Sequence, residues 1–471
     1  MAHDTLKSFL RTPSSIKTRL AMGKAYRQKT PRTSLGDYRA QHGRLDAVNI
    51  IHRQAESRIP ELIPIRHARM AADPFAFFRG GAAIMAHDLA PLPSVPINVQ
   101  LCGDMHVSNF GFFSTAERRL VFGINDFDET LPGNFDWDLK RLAASAMIAA
   151  HALGQDDVFG ELIIRRMSVK YRQYLARYAE TPYIELARSY IDDERIMHRA
   201  KTTGATDAAC RYVESQMSKA RQNTNQGVLG KLIETVDSQQ RFIENPPFVM
   251  HLDKTMYGTP IPDVMDEGLR TYARSLPSDR RHILERYRLV DNARKVVGIG
   301  SVGLGCWILY MEGIDGSDPL FLQTKRSLRS VLAPYFPDKQ FRSQGERVVH
   351  GQRLIQGAPD LFLGYGTTRD SDFYVRQLRD MKGGISIGSG KGDIGVAEFP
   401  DYASLFGWAL ANAHARSGDP ALLAGYCGQS ERLDDALVRF AKAYAQQNLA
   451  DYDVFMRAIR AGTLSCAQSG Y

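Results

Sequence analysis

Apolar runs and helical repeats follow one another along the chain in blocks. The runs VPINVQL and LVFGI, broken by Gly and Asn/Asp, predict two short strands, each followed by a polar cluster within the stretch from Cys102 to Ala143. That stretch carries Asp104, His106, Asn109, Asp126, Asp128, Asp136 and Asp138, and LKRLAASAMIAAHALG continues it as a largely buried helix rich in small residues. Upstream, residues 1–45 are basic and polar with weak periodicity and read as a loosely held arm. Between Asp46 and Met70 the pattern gives one short amphipathic helix, ended by Pro60 and Pro64. In ADPFAFFRGGAAIMAHDLA, Arg79 stands between aromatic residues and the Gly80-Gly81 pair, ahead of another helical pattern. From Val158 to about Leu289 helical periodicity is nearly unbroken apart from the Pro-rich passage ENPPFVMHLDKTMYGTPIP.

The pattern then changes. Residues 296–325 read as strand, Gly-rich turn, strand, polar turn and strand, with Lys325 ending the third strand. A helix follows at SQGERVVHGQRLIQ with Glu346 in its first turn, and DLFLGYGTT and DFYVRQLRD read as two more strands. GGISIGSGKGDIG resembles a phosphate loop only superficially, because no Ser or Thr follows Lys391, and reads as a flexible linker. From Tyr402 onward the chain is helical again. Five parts result: a basic arm (1–45), a part carrying the polar clusters (46–150), a helical subdomain (151–290), a strand-rich part (291–385), and a linker with C-terminal helices (386–471).

At 471 residues the chain exceeds what one core organises, so two or three lobes are expected. With 44% hydrophobic and 24% charged residues the composition is that of an ordinary globular protein. The net charge of +8 favours an anionic partner such as a nucleotide, a nucleic acid or a membrane surface, or simply a well-solvated basic surface. Nucleic acid gains little support, since aromatic residues do not interleave on one charged helical face as a stacking platform requires. The five cysteines are scattered with no C-x-x-C pair, which makes a reducing cytoplasm the default compartment. The first residues lack a signal-peptide core, and no run approaches the roughly 20 apolar residues needed to span a bilayer.

Carboxylates and an amide converging from two strand ends suit Mg²⁺, which takes oxygen ligands. Asp104 and Asn109 have the interval of the Asp and Asn in a kinase catalytic loop, where the carboxylate orients the attacking hydroxyl and the amide oxygen holds a metal. Asp126 precedes Phe127 at the place of a metal-chelating D-F-G aspartate, with Asp128 in place of the glycine. Gly298, Gly300 and Gly303, with Ser301 between them, form G-x-G-x-x-G; the apolar run after it favours a hairpin loop lying over ATP phosphates. Arg79 either reaches a phosphate through its planar fork or caps a turn.

The loop resembles that of aminoglycoside- and choline-type small-molecule kinases, which read roughly H-G-D-x-H-x-x-N followed by I-D-F/W-x-D. The GDMHVSNFG and NDFDETLPGNFDWDLKRLAAS segments, with RMAADPFAFFRGGAAIMAHDLA, KVVGIGSVGLGCWILYMEG and FYVRQLRDMKG, resemble the bacterial family known as domain of unknown function 2252, from about residue 46 onward. That family name implies no substrate.

The expected fold is α+β: a bilobal, protein-kinase-like fold with a small antiparallel β lobe and a large, mainly helical lobe. It is circularly permuted, because the small-lobe signature follows the catalytic-loop signature in the chain. The expected activity is ATP- and Mg²⁺-dependent phosphotransfer to an unidentified hydroxyl-bearing small molecule or protein. Lys325 contacts the phosphates and pairs with Glu346, unless the helix phase turns another residue such as Gln352 toward the site. Asn109, Asp126 and Asp128 hold Mg²⁺, Asp104 orients the acceptor, and His106 braces its loop. Asp136 caps the following helix, and Asp138 resembles the aspartate that braces the catalytic loop of small-molecule kinases. Rival readings are AMP transfer on the same fold, a metal-dependent phosphoesterase opened by the Asp104-Met-His106 pair, and a non-catalytic nucleotide- or nucleic-acid-binding protein.

Overall fold

Helices begin where the chain supplies an oxygen to the free N–H groups of a first turn: Ser15, Asp46, Asp73, Asp156, Thr206, Ser343 and Asp419 all accept such bonds. The structure, a computed structural model, describes residues 9–467 apart from 11, 204, 253, 257–258, 339, 379 and 385–392. The linker at Lys391 lies outside the described residues.

The chain opens with α1 (Ile16–Lys29), α2 (Ala47–Ala55), α3 (Ile63–Met70), α4 (Pro74–Gly80) and α5 (Ala82–Leu89). Next come β1 (Asn98–Leu101), β2 (Phe110–Ser114), β3 (Leu120–Ile124) and β4 (Leu131–Asn134), then α6 (Asp136–Ala152) and α7 (Asp157–Ala179). Shorter helices α8 (Tyr183–Ala187), α9 (Asp193–Thr203), α10 (Asp207–Gln222) and α11 (Asn225–Leu232) lead to β5 (Ile233–Val236), β6 (Gln239–Phe242), β7 (Val249–Met250), β8 (Thr255–Met256) and β9 (Thr259–Pro260). After α12 (Ile261–Asp263), α13 (Leu269–Ser275) and α14 (Ser278–Leu284) come β10 (Arg288–Lys295), β11 (Cys306–Glu312) and β12 (Pro319–Arg326). The last elements are α15 (Gln344–Gln356), β13 (Gly364–Thr368), β14 (Ser371–Gln377), β15 (Gly383–Gly384), α16 (Phe399–Ser417), α17 (Pro420–Cys427) and α18 (Arg432–Arg460).

This is an α+β fold with antiparallel sheets. The largest has six strands in the order β13-β14-β12-β11-β10-β7. Both of its faces are covered. Leu309, Met311, Leu320 and Leu322 turn toward Tyr272 and Phe373, while Ile308, Tyr310 and Phe321 pack with Val228 and Phe242. Burial on both sides explains why CWILYM is an unbroken apolar run. The main core lies elsewhere, among α6, α7, α16, α17 and α18, and wraps β1, β2 and β3. Gly407 of α16 lets that helix approach the Met167 backbone of α7, where a Cβ would collide. Among the described residues, no helix is long and apolar enough to cross a membrane.

Three expectations change. Among the described residues, 12–45 are not a loose arm. Helix α1 packs on α17 with Gly23 against the Leu422 backbone, and Arg27 and Arg32 donate to the carbonyls of Tyr426 and Cys427. Contacts of this kind need glycine and arginine rather than an apolar stripe, which hid them from a periodicity reading. The stretch 158–289 does not stay helical: after α11 it forms short strand pairs and β7, which joins the large sheet. Likewise RLVDNARK is strand β10, not helix, and supplies the strand expected after residue 296. A bulge between Leu289 and Asp291 breaks its alternation. Finally, Pro64 does not end a helix but sits in the first turn of α3, where a missing N–H costs nothing.

Candidate active site

β1 delivers its C-terminal end to a tight turn at Cys102 and Gly103. Gly103 adopts φ +85°, and a side chain there would run into the Glu129 carbonyl. One carboxylate fixes the turn: the two Asp138 oxygens accept from Cys102 N at 2.7 Å and Gly103 N at 3.0 Å. Asp138 lies in the first turn of α6, and His414 of α16 stands 3.6 Å from it while bonding the buried Tyr171 hydroxyl at 2.8 Å. Asp138 is therefore a brace, as expected. Asp136 is not a cap: it begins α6 and accepts from Ser94 Oγ and Val95 N, with Lys140 at 3.0 Å.

Asp104 projects from this turn. Its Oδ1 accepts from Arg141 Nε at 2.9 Å and Nη2 at 2.6 Å, and Arg141 lies over the Phe78 ring at 4.2 Å. His106 Nε2 is 4.0 Å from the other oxygen, too far for a hydrogen bond. Burial, then the charges of Arg79 and Arg141, hold the His106 imidazole well below its usual range, so it is neutral. Asn109, in a 3₁₀ turn, donates through Nδ2 to the Asp104 carbonyl at 3.1 Å, and its own carbonyl accepts from Asn125 N at 3.0 Å. The segment from Asp104 to Asn109 and the end of β3 are thereby joined.

Beyond β3, Asp126 and Asp128 meet the large sheet. Lys325 on β12 places Nζ 3.2 Å from Asp128 and 3.9 Å from Asp126. Asp128 also accepts from Tyr374 hydroxyl at 2.8 Å and Ser301 Oγ at 3.0 Å. Burial works against the Asp128 charge, but Lys325 and the Tyr374 bond outweigh it and bring the carboxyl down to about 2. Burial likewise opposes the Lys325 charge, and the two aspartates override it, raising the ammonium. Loss of hydration, followed by the Asp128 charge, pushes Asp126 up, although 45% of its side chain still reaches solvent.

The glycine loop lies across this cluster. A Cβ on Gly300 would stand 3.9 Å from Asp104 Oδ2, and Gly303 turns with φ +84°. Arg58 reaches in from the end of α2 and bonds the carbonyls of Gly300 and Val302. Arg79, in the last turn of α4, feels Asp104 and Asp126; burial lowers its pKa and its Nε has no hydrogen-bond partner. The cavity beside Asp128 holds about 100 Å³. That is below the roughly 300 Å³ at which small-molecule pockets begin.

Glu346 does not pair with Lys325. It accepts from Arg342 N at 2.7 Å and from Tyr365 hydroxyl at 3.4 Å, at the outer start of α15. The next residue, Arg347, points inward and bonds the carbonyls of Asp128, Thr130 and Leu328. Gln352 stays on its own helix, bonding Gln356. As a result, Gly298, Gly300, Ser301, Gly303, Lys325 and Arg79 gather with Asp104, His106, Asn109, Asp126 and Asp128, and Glu346 stays apart. Sequence reading missed Arg141, Tyr374, Arg347 and Arg376, whose Nη1 donates to the Asn125 carbonyl at 3.1 Å. Three of these left a signal: Arg141 lies three residues after Asp138 on one helix face, and Tyr374 and Arg376 are two apart on the strand paired with Lys325.

Two carboxylates and a lysine at this range suit a divalent cation carrying phosphates, since Mg²⁺ is commonly held by one or two carboxylates plus phosphate and water. A family model described as "Uncharacterized protein conserved in bacteria (DUF2252)" matches residues 58–458. No curated protein and no solved structure matches the chain.

Proposed function

The chain belongs to the bacterial DUF2252 family, and on that footing we propose that it is an ATP- and Mg²⁺-dependent phosphotransferase of circularly permuted, kinase-like fold. One observation carries the reading: Lys325 reaches Asp128 across 197 residues of sequence, under a glycine loop and beside a loop holding Asp104 and Asn109. A lysine on a central strand, a G-x-G-x-x-G turn and a D-x-x-x-x-N loop meeting at one point is the arrangement that phosphoryl transfer uses.

Lys325 grips the phosphates, and the Tyr374 and Ser301 bonds to Asp128 set its position. Asn109 and Asp126 would hold Mg²⁺, which when bound neutralises phosphate charge. Asp104, oriented by Arg141 and by the Asp138 brace, directs the acceptor hydroxyl through its second oxygen. Ser301 rests on Asp128 where the phosphates belong, so nucleotide entry lifts the glycine loop and breaks that bond. Asp128 is assigned to positioning, because both of its oxygens already serve donors.

Incubation of the full chain with Mg²⁺ and ATP labelled at either the γ or the α position, against hydroxyl-bearing acceptors, tests the reading. The γ label moves to acceptor, and Asp104→Asn and Asp126→Ala each lower transfer at least ~100-fold. Unchanged turnover in both variants rules the mechanism out. Movement of the α label instead indicates AMP transfer, and phosphate release with tightly held Mn, Fe or Zn indicates a phosphoesterase.

A further inference from the structure

Away from this cluster a cavity of about 470 Å³ opens between α7, α8, α9 and Trp408 of α16. Its size falls within the roughly 300–1,000 Å³ of small-molecule sites. The wall at α16 is a rigid aromatic pair: Tyr174 stacks on Trp408 with centroids 4.6 Å apart and planes at 6°. Trp408 donates to the Tyr178 hydroxyl at 2.9 Å, and Asn412 donates to the same oxygen at 3.1 Å.

The rest of the lining is cationic. Arg177, Arg188, Arg195 and Arg199 come from three successive segments and are joined by His198, against one carboxylate, Glu185. Arg199 lies over the Tyr174 ring at 5.2 Å, which fixes its direction. Arg195 is steadied by the Tyr190 carbonyl at 2.9 Å and by Asp192 at 3.9 Å. Arg177 and Arg188 make no ion pair among the described residues. Four guanidinium groups around one concavity repel one another and focus positive potential into it. Their forked donors match phosphate oxygens two at a time.

We propose that this cavity binds a small organic anion carrying two or more phosphate groups. Its size suits a small molecule rather than a nucleic-acid strand, and its charge excess asks for a multivalent ligand. The site is tied to the strand that presents Asp126. Ser189 to Asp192 runs from the cavity wall along β3, with Phe122 N donating to the Ile191 carbonyl at 2.8 Å and Val121 bridging Asp192. An occupant that orders this segment bears on β3, which runs directly into Asn125 and Asp126.

The test is titration of the full chain with fructose 1,6-bisphosphate, 2,3-bisphosphoglycerate and inorganic phosphate, followed by calorimetry and by Trp fluorescence, since Trp408 is one of three tryptophans. The bisphosphates bind and change the fluorescence, and inorganic phosphate binds at least ~10-fold more weakly. Arg177→Ala with Arg188→Ala, both on the surface, weakens bisphosphate binding by ~10-fold or more at an unchanged Tm. If the double variant loses Tm, Arg188→Gln alone gives the same reading. Absence of bisphosphate binding, equal binding of inorganic phosphate, or unchanged affinity in the arginine variants each overturns the proposal. None of these readouts depends on ATP or on Asp104, so the phosphotransfer reading stands or falls separately.

Discussion

Two side chains decide whether the clustered carboxylates hold together. Lys325 is the buried cation between Asp126 and Asp128, and replacing it with Met leaves two carboxylates facing each other with reduced hydration. The expected cost is ~3 kcal/mol in urea unfolding, the range for breaking a buried pair. A Mg-ATP-induced rise in Tm should vanish as well; a Tm rise as large as in the parent protein would give the lysine another task. Asp138→Asn tests the brace differently. An amide offers one acceptor where two backbone N–H groups now find one oxygen each, and it turns an NH₂ toward the other. A loss of ~2 kcal/mol is expected, together with faster amide exchange at Cys102 and Gly103; unchanged exchange would remove Asp138 from that role. The motif carriers Asp104, Asn109, Asp126 and Lys325 were legible in the sequence, because their spacing and the strands before them suffice to find them. Glu346 was misplaced because a capped first turn places adjacent residues in different directions, and it is Arg347 that enters the site.

Elements were legible where burial is one-sided or complete, as in β3, β12, α15, α16 and α18, and obscure where pairing replaces pattern. β10 carries charged and polar residues on a bulged strand, so nothing in RLVDNARK alternates. It is secured partly by His251, whose ring nitrogens lie 2.8 Å from Glu244 and 2.8 Å from Asp291. Burial lowers the imidazole pKa, but the Asp291 and Glu244 bonds outweigh it and raise the value above the ordinary 6.5. With the folded value raised, the stabilisation is full below pH 6.5 and is lost as pH rises through the folded pKa. His251→Gln should therefore lower stability by on the order of 1 kcal/mol in mild acid and progressively less toward alkaline pH. Melting curves across that range check it, and a gap between the two proteins that stays constant with pH would assign no proton to this pair.

At the scale of the molecule, two distant stretches, with a tyrosine from a third, form one cluster. Residues 98–134 supply Asp104, Asn109, Asp126 and Asp128, residues 298–325 supply the glycine loop and Lys325, and β14 supplies Tyr374. Periodicity could locate each stretch, but not the contacts between them, since those depend on β12 being central in a sheet whose strands are out of sequence order. If this cluster is a nucleotide site, one ligand must protect both stretches together. Hydrogen exchange on the full chain should then slow, on adding Mg²⁺ and a non-hydrolysable ATP analogue, in peptides spanning Gly298–Lys325 and in peptides spanning Cys102–Phe127. The effect should be concerted, because Lys325, at the end of the second stretch, contacts both Asp126 and Asp128. Arg58 ties the Gly300 and Val302 carbonyls to the end of α2, so peptides around residue 58 should also change as the loop lifts. Protection of one stretch without the other would mean that the lysine and the carboxylates form a structural ion pair, and phosphate binding would have to be sought elsewhere.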